Sequence, residues 1–491
     1  MKKGIVAALV LLGLIGACLA AVPLIQIHVA DLLKAEIERS GTNKVGSVEV
    51  SLFDRQIVLL DVRSTRPAGE MTIARVDASG LDWPIKEFLQ GRTPLQGIRL
   101  GDPLQAKRLE VRDFRAADQV TQVSVASLVV ENFNLERFDP GEGGPQAERQ
   151  RVARTLAAVE VGRLELRSLV IVQPKKSETL GLAMFLVERF DRGRIGRLTA
   201  NDMEVATKGK QAAEVKIGDL DMNGLDLRRL LAALASTDWE PGMPLGRVQI
   251  ASGRISGFGG DAFARYGISL GSISIDTTHE SAEVSRTRTR IEGFVLAPPL
   301  RGLEALQLRI ALQSMGLKEV KLDLDCSGLE DRAKAVVAVE QCALVGPGLG
   351  EIDFSMRLAN ADSAFWQAVD EGDLDALQAT SIALSSARLV VADKSILERS
   401  LKALSTVTGQ PVARTRANLA TEIRRYSPAG VLISESMTKL LDTVAQFIER
   451  GGTLTIEAKP DPAVDLDRFT YLLRPDADLV SGLGLTATLS K

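Results

Sequence analysis

The sequence predicts a β-rich α+β protein in which an apolar N-terminal segment precedes a long, twisted antiparallel sheet. Three observations predict this architecture: an uncharged apolar run near the start, a strand-like pattern that recurs through the body, and helical periodicity after about residue 361. The predicted regions are a membrane anchor or signal at 1–30, a first β-rich repeat region at 31–138, a linker at 139–149, a second β-rich repeat region at 150–360 and a C-terminal α+β module at 361–491.

The N-terminal segment determines the expected compartment. Lys2 and Lys3 precede an uncharged apolar run from Gly4 to Ala30, which is longer than the ~20 residues that a membrane-spanning helix needs. Lysines favour the cytoplasmic side of a membrane. We therefore expect a single-pass inner-membrane protein with its bulk in the periplasm of a Gram-negative-type cell.

Two other fates of this segment remain open. A charged start and an apolar stretch that ends in small residues also describe a cleavable signal. The run from Ile15 to Cys18 resembles a bacterial lipobox, which would place a lipid on Cys18. An uncleaved anchor is favoured over lipidation because the chain stays apolar from Leu19 to Ile25, where a lipoprotein normally becomes polar.

An eleven-residue pattern recurs through the body of the chain, with an aliphatic residue, a small residue, and apolar residues at the fourth and sixth positions. Its clearest copies are VGRLELRSLVI from Val161, IGRLTANDMEV from Ile195, IGDLDMNGLDL from Ile217 and LGRVQIASGRI from Leu245. Apolar residues two positions apart lie on one face of a strand. The small second residue fits a bend or a close approach of another strand. The pattern predicts irregular repeats of an antiparallel sheet.

Short helices and a linker interrupt the predicted sheet. GLDWPIKEFLQ from Gly80 and GLDLRRLLAALA from Gly224 share a Gly-Leu-Asp start, which indicates the aspartate as a helix N-cap. Glycine, proline and charge replace apolar residues from Asp139 to Arg149, as is typical of a linker. In the C-terminal region, ISESMTKLLDTVAQFIERGG predicts a helix capped by Ser434 or Ser436.

Composition excludes several classes of function. Lys and Arg number 60 against 63 Asp and Glu, for a net charge of -3, so no nucleic-acid partner is expected. With only His28, His279 and three cysteines, the chain has too few nitrogen and sulfur donors for a zinc or haem site. A site for calcium or magnesium built from carboxylates alone remains compatible with the sequence.

Catalytic motifs occur only in unsuitable contexts. Ser269 lies in a G-x-S-x-G match, but a strand pattern follows it where a nucleophile elbow needs a helix. The G-x-G-x-x-A match from Gly257 to Ala262 leaves no room for a crossover helix and is interpreted as a glycine-rich turn. Asp323 and Asp325 alternate with leucines, which predicts a solvated strand face. We therefore expect no enzyme activity and no cofactor.

Cys326 and Cys342 are the two cysteines outside the N-terminal segment. An even pair in an oxidising compartment favours a disulfide. A hairpin that turned near Glu330 would place Cys326 opposite Ala335 instead, so two unpaired thiols remain the alternative.

The repeats also predict an apolar stripe. If the strands that start near Val161, Ile195, Ile217 and Leu245 align, their inward residues form one continuous apolar surface, which must be covered by acyl chains or by the protein's own helices. The predicted stripe residues are Leu164, Leu166, Leu198, Leu220, Met222, Val248 and Ile250.

The N-terminal anchor and strands of the form IARVDASGLD and IGDLDMNGLD resemble the AsmA-like superfamily of Gram-negative envelope proteins over residues 1–350. The segment from Asp393 to Leu401 and the closing strands look more like DUF945-type periplasmic proteins. The AsmA-like resemblance implies a curved sheet whose apolar groove carries acyl chains between two membranes. The expected partners are the membrane, a phospholipid or other envelope lipid, and other envelope proteins. A structural scaffold without lipid cargo is the alternative function.

Overall fold

The structure is a computed structural model. It describes residues 22–39, 41–66, 69–82, 101–141, 147–207, 212–236, 248–300, 305–426, 433–474 and 477–491. The protein is mostly antiparallel β-sheet, with 49% of its residues in strands, and contains some helices. The predicted β-rich class with helices is thus confirmed.

The chain divides into two compact units. The first unit comprises Met1–Glu214 and Asp219–Met243, and the second comprises Val215–Gly218 and Pro244–Lys491. Residues 139–149, the predicted linker, lie within the first unit. The strands on either side of them pair directly with each other, so glycine, proline and charge mark a connection inside one sheet.

The first unit is a meander of long strands. These are β1 (Asn43–Lys44), β2 (Ser47–Ser51), β3 (Gln56–Arg66), β4 (Gly69–Ser79), β5 (Leu104–Asp118), β6 (Gln122–Leu135), β7 (Val159–Gln173), β8 (Glu178–Asp191), β9 (Arg194–Thr207) and β10 (Ala213–Asp226), of which residues 213–214 and 219–226 belong to this unit. From β3 to β9 each strand pairs antiparallel with the next. β1 and β2 pair with β3, and β10 pairs with β9.

In the described part of the first unit, three helices accompany this sheet: α1 at 22–38, α2 (Ala147–Ala158) and α3 (Arg228–Ala235). Residues 4–21 of the predicted membrane segment lie outside the described residues, and 22–30 form the start of α1. Within the described ranges, no helix combines the length and apolar character that crossing a bilayer requires. The Gly-Leu-Asp copy at Gly80 also passes into residues that are not described.

The long strands of the first unit bend at a common level. Asp61, Asp113, Ser168 and Asp202, on alternate strands, have φ values of 53°, 51°, 53° and 50°. The ladder is interrupted at each of them, as where Leu60 pairs with Arg75 and Val62 with Ile73. Short polar residues tolerate this left-handed conformation better than others, so the sequence can bend every second strand at the same height.

The small second residue of the repeat pattern lies where a neighbouring strand comes close. A Cβ atom on Gly162 would lie 2.9 Å from the Asn132 side chain, and one on Gly196 would lie 2.9 Å from Arg189 Nε. Asn132 and Arg189 again have positive φ, at 52° and 57°. The small residue therefore lies where a bent neighbouring strand comes near, as the pattern predicts.

The second unit is also built of antiparallel strands. Its strands are β11 (Ser252–Ser256), β12 (Ile268–Ser269), β13 (Ser272–His279), β14 (Val284–Leu296), β15 (Val320–Asp331), β16 (Val336–Gly346), β17 (Gly350–Ala359), β18 (Ala383–Asp393), β19 (Thr453–Ala458), β20 (Val464–Asp465) and β21 (Leu485–Ser490). From β13 to β19 each strand pairs with the next, and β21 pairs with β19.

Most helices of the described chain belong to the second unit. They are α4 (Asp261–Tyr266), α5 (Leu306–Ser314), α6 (Ser363–Glu371), α7 (Leu374–Gln378), α8 (Ile396–Thr408), α9 (Val412–Arg424), α10 (Glu435–Arg450), α11 (Leu466–Leu472) and α12 (Leu479–Gly482). The turn predicted between Gly257 and Ala262 instead leads directly into the short helix α4.

Local side chains explain where two of these helices begin. The Ser434 hydroxyl accepts a hydrogen bond from the Met437 amide at 3.2 Å, so the predicted cap of α10 is confirmed. Asp226 was predicted to cap α3, but the N-cap position is Leu227, one residue later. The Asp226 carboxylate still accepts a hydrogen bond from the Arg228 amide at 3.0 Å.

Cys326 and Cys342 lie directly opposite each other on β15 and β16 and are disulfide-bonded in the structure. The connecting turn lies at residues 332–335, beyond the position near Glu330 that the unpaired alternative assumed. A register shift between Ser327 and Gly328 accompanies the longer strand. The later turn and this one-residue shift together bring the two cysteines opposite each other on the hairpin.

Candidate functional site

The candidate site is the apolar face of the first unit, which two cross-strand ladders form. Antiparallel register places residues side by side on one face of the sheet. The first apolar ladder is Ile57, Ala78, Leu109, Val130, Leu164, Val187 and Leu198. The second apolar ladder is Leu59, Val76, Val111, Leu128, Leu166, Phe185 and Ala200.

Three predicted stripe residues lie within these apolar ladders. Leu164 is opposite Val187, which in turn is opposite Leu198. Leu166 is the corresponding residue of the second ladder. The predicted neighbours β7 and β9 are thus separated by the return strand β8, whose apolar residues the stripe prediction omitted.

Leu220 and Met222 are on β10, next to Asp221. Arg197 Nη2 lies 2.7 Å from Asp221 Oδ2, so Asp221 shares the face of Arg197. Because successive strand residues point to opposite faces, Leu220 and Met222 are on the same face as Leu198. They extend the apolar face by one strand.

Val248 and Ile250 occupy a different position. They belong to the second unit and precede β11, which begins at Ser252. Val248 is 41% exposed. Val248 and Ile250 therefore lie outside the strands that carry the other five predicted residues. The repeat pattern places a strand start at Leu245, but β11 begins later, at Ser252.

The side chains of the apolar face bury one another to a large extent. Val130, Val187 and Ala200 are buried, whereas most other ladder residues are half-buried. Val130, Val159 and Val161 form a cluster whose further members all come from β5–β8. The packing around this cluster therefore comes from the curvature of the strands themselves.

One end of the apolar face is covered by α1. Val29 and Leu33 of this helix are 1% and 2% exposed and form a core cluster with Leu81 and Ala106. Ile57 and Ala78, the first members of the first ladder, pack against the same cluster. The helix thus closes the β3–β4 end of the face.

Apolar residues continue in register beyond the bend of the strands. Met71, Ala116, Val123 and Ile171 face one another on β4–β7. A void of about 350 Å³ borders Met71, Ala116 and Val123, and its polar neighbours are Ser64, Glu70, Asp118 and Thr121. Its size is within the range of small-molecule and cofactor pockets, about 300–1,000 Å³.

The opposite side of the sheet, here called the charged face, carries ion pairs along and across the strands. Arg163 Nη2 lies 2.5 Å from Glu165 Oε2, and Arg167 pairs with the other oxygen of the same carboxylate. Arg108 contacts Glu131 on the neighbouring strand at 2.5 Å. These residues line a depression of about 410 Å³. Over this part of the sheet the ion pairs are thus confined to one face, which also carries Val129, while the two ladders of the other face are apolar.

The arginines change the acidity of the glutamates between them. The hydrogen bond from Arg167 lowers the pKa of the Glu165 carboxyl, partial burial raises it, and the hydrogen bond from Arg163 lowers it again, so the net pKa is below the usual glutamate range. Burial raises the pKa of Glu110, but hydrogen bonds from Arg112 and Arg108 outweigh that effect and the net pKa is also lowered.

We expect acid to weaken the first unit through Glu165. Because its pKa is lower in the folded chain, the carboxylate stabilises the fold above the ordinary glutamate pKa of about 4.3, and this contribution is lost as the pH falls through the lowered value. Glu165→Gln should therefore be less stable than wild type at neutral pH and differ less from it near pH ~3.

Urea midpoints at several pH values would measure this difference. Glu422→Gln, at an exposed position of α9, is the control and should retain the wild-type pH dependence. An unchanged pH dependence in Glu165→Gln would contradict the assignment.

The described residues offer no group of three or more His, Cys, Asp or Glu side chains that could hold a metal ion. Cys18, the less favoured lipidation site, lies outside them.

A family model described as "Uncharacterized protein" matches residues 343–490, which run from the end of β16 through β21. No curated protein matches the chain. The apolar face of the first unit lies outside the matched segment.

Proposed function

We propose that this chain is a non-catalytic, membrane-anchored periplasmic protein whose apolar sheet face handles lipid or supports outer-membrane homeostasis. The observation that carries the proposal is the pair of apolar ladders, which run in unbroken register from β3 to β9. Aliphatic side chains bind hydrocarbon but neither transfer protons nor attack bonds, so the proposed role contains no chemical step. The resemblance to AsmA-like proteins supports the same role.

The energy available to such a face is sufficient for reversible lipid binding. Each methylene that leaves water contributes about 0.8 kcal/mol, so an acyl segment of about ten carbons offsets the several kcal/mol that association costs. The ladders supply a dry surface along which a chain can lie, and the void beside Met71, Ala116 and Val123 has room beyond the bend. The charged face supports the proposal because it gives the sheet a hydrated outer side.

A photoactivatable residue would test the proposal without adding charge. Leu128 is in the second apolar ladder, and Ser127, the preceding residue, faces the other side between Arg112 and Arg167. A photoactivatable analogue at position 128 should label lipid in native membranes, whereas the same analogue at 127 should not. Mass spectrometry of the labelled peptide gives the lipid. Absence of lipid label at both positions would refute the proposed role.

A structural scaffold without lipid cargo is the second candidate function. The observation that favours it is the packing of Val29 and Leu33 over Ile57 and Ala78, because it demonstrates that the protein's own helix can cover the apolar face. A scaffold predicts protein crosslinks from position 128 and no lipid label.

The proposed location in the inner membrane has its own test. With Gly4 to Ala30 as a retained anchor, the protein should stay with membranes after an alkaline carbonate wash, and its C-terminus should be protected from protease until the outer envelope is opened. Recovery of a soluble protein with a processed N-terminus near Ala20 would identify a cleaved signal instead. A mass increment on Cys18 would identify lipidation.

A further inference from the structure

β21 is an edge strand of the second unit. It pairs antiparallel with β19 along its whole length, from Leu485 opposite Ala458 to Ser490 opposite Thr453. No other strand of the described chain is in register with it. An edge strand of this kind presents a row of backbone donors and acceptors that can pair with another strand.

The composition of this edge provides no protection against pairing. Natural edges are blunted by charges, proline, bulges or a covering helix. β21 reads LTATLS, which contains no charge and no proline, and α10 and α12 pack against it. Its Thr486, Thr488 and Ser490 are exposed, and its Leu485, Ala487 and Leu489 point to the half-buried side. Within the described chain the side of β21 away from β19 pairs with no strand, so a second strand can add there.

The sequence of β21 also specifies which partner it fits. Leu485 to Leu489 read the same in both directions around Ala487. A two-fold symmetric interface needs a surface that is complementary to itself, and an antiparallel pair centred on a palindromic strand fulfils that condition residue by residue.

β2 is a second strand whose sequence reads the same in both directions, and its central residue would oppose self-pairing. β2 reads SVEVS, pairs with β3 on one side, and has the exposed Glu49 at its centre. Self-pairing of β2 would place two carboxylates directly opposite each other, which is destabilising. β21 has Ala487 at the equivalent position, so no repulsion opposes its pairing.

We propose that β21 pairs antiparallel with β21 of a second copy of this chain, about a two-fold axis at Ala487. Leu485 is then opposite Leu489 of the second copy, and Thr486 is opposite its Thr488. Threonine pairs across strands form favourable contacts. The row of Ile456 and Ala487 continues into the same two residues of the second copy, so the two sheets become one.

This dimer should be reversible. A pair of six-residue strands buries much less than the ~1,600 Å² of a standard stable interface. Covalent trapping in the full-length chain is therefore the appropriate measurement.

Ala487→Cys tests the register of the pair. Only a residue on the two-fold axis is opposite itself, at the ~4.5–5.5 Å between Cα atoms that a disulfide allows. Thr488→Cys is the control, because it is more exposed but would lie ~8 Å from its own copy, beyond bridging distance. Mild oxidation should yield a reducible dimer for Ala487→Cys and none for Thr488→Cys or wild type. Equal yields for the two variants, or no dimer for Ala487→Cys, would overturn the proposal.

Charge substitutions at the exposed threonines provide a second test that leaves the core unchanged. In the variant Thr486→Lys with Thr488→Lys, like charges meet twice across the axis, and the yield of the Ala487→Cys dimer should fall on the order of tenfold. In the variant Thr486→Lys with Thr488→Glu, each lysine meets a glutamate and the yield should return. Both variants carry the same lysine at position 486, beside its neighbour Glu457 on β19, so they differ only at position 488. A strand of another protein as the true partner would abolish this rescue and refute self-pairing.

Discussion

Leu128→Asp is expected to abolish lipid co-purification, whereas Ser127→Asp is expected to leave it unchanged. Leu128 lies between Val111 and Leu166 in the second apolar ladder. A carboxylate there would face hydrocarbon without a partner, at a cost of several kcal/mol. Ser127 lies between Arg112 and Arg167 on the charged face, so an aspartate there gains two cationic neighbours.

The comparison is measured as bound lipid per chain in protein purified from native membranes. Resistance to limited proteolysis is recorded for both variants, because loss of lipid is informative only in a folded chain. A folded Leu128→Asp protein with wild-type lipid content would exclude the apolar face as the lipid site. If Leu128→Asp fails to fold while Ser127→Asp folds, the ladder is core, and photolabelling at position 128 then distinguishes a lipid cargo from a scaffold.

The alternation of apolar and charged residues was sufficient to predict the two faces of the sheet. In β7, Leu164 and Leu166 alternate with Arg163, Glu165 and Arg167, and the structure separates them as the period of two requires. The small residue of the pattern likewise predicted the close approach at Gly162. Both are local properties of one strand, so a single sequence determines them.

The partners of each strand were less predictable. β8 reads ETLGLAMFLVERFD and lacks the repeat pattern, so the stripe was drawn directly from β7 to β9. Register between strands depends on the turns and on the bends at residues such as Asp113 and Ser168, which the alternation of apolar residues does not reveal. Val248 and Ile250 were assigned to the stripe because the pattern places a strand start at Leu245, whereas β11 begins at Ser252.

Domain boundaries were the least predictable feature. The composition of a stretch rich in glycine and charge does not reveal whether the stretch joins two domains or two strands. For residues 139–149, the pairing of β6 with β7 shows that it joins two strands. The turn between β15 and β16 had a similar ambiguity, since a displacement of about three residues decides whether Cys326 faces Cys342 or Ala335.

Removal of the bond between Cys326 and Cys342 is expected to have the second large effect. The bond closes a loop with a sequence separation of 16, and the chain-entropy model assigns about 3 kcal/mol to a loop of that length. Thr289 and Phe354 are the cross-strand neighbours of the two cysteines, in a row that continues into Leu389 and Ile456. The bond therefore fixes two adjacent strands in the middle of the second sheet.

Replacement of both cysteines by alanine is the appropriate variant, because serine would add hydroxyl groups to a largely apolar row and so introduce a second cost. In guanidinium denaturation followed by circular dichroism, the second unit of this variant should lose about 3 kcal/mol of unfolding free energy. Wild-type protein in reductant should behave like the variant, and oxidised wild-type protein should take up no alkylating reagent at these cysteines. Reduction should leave the variant itself unchanged, since it has no bond to lose there. Identical midpoints for oxidised and reduced wild-type protein would contradict a stabilising bond between Cys326 and Cys342.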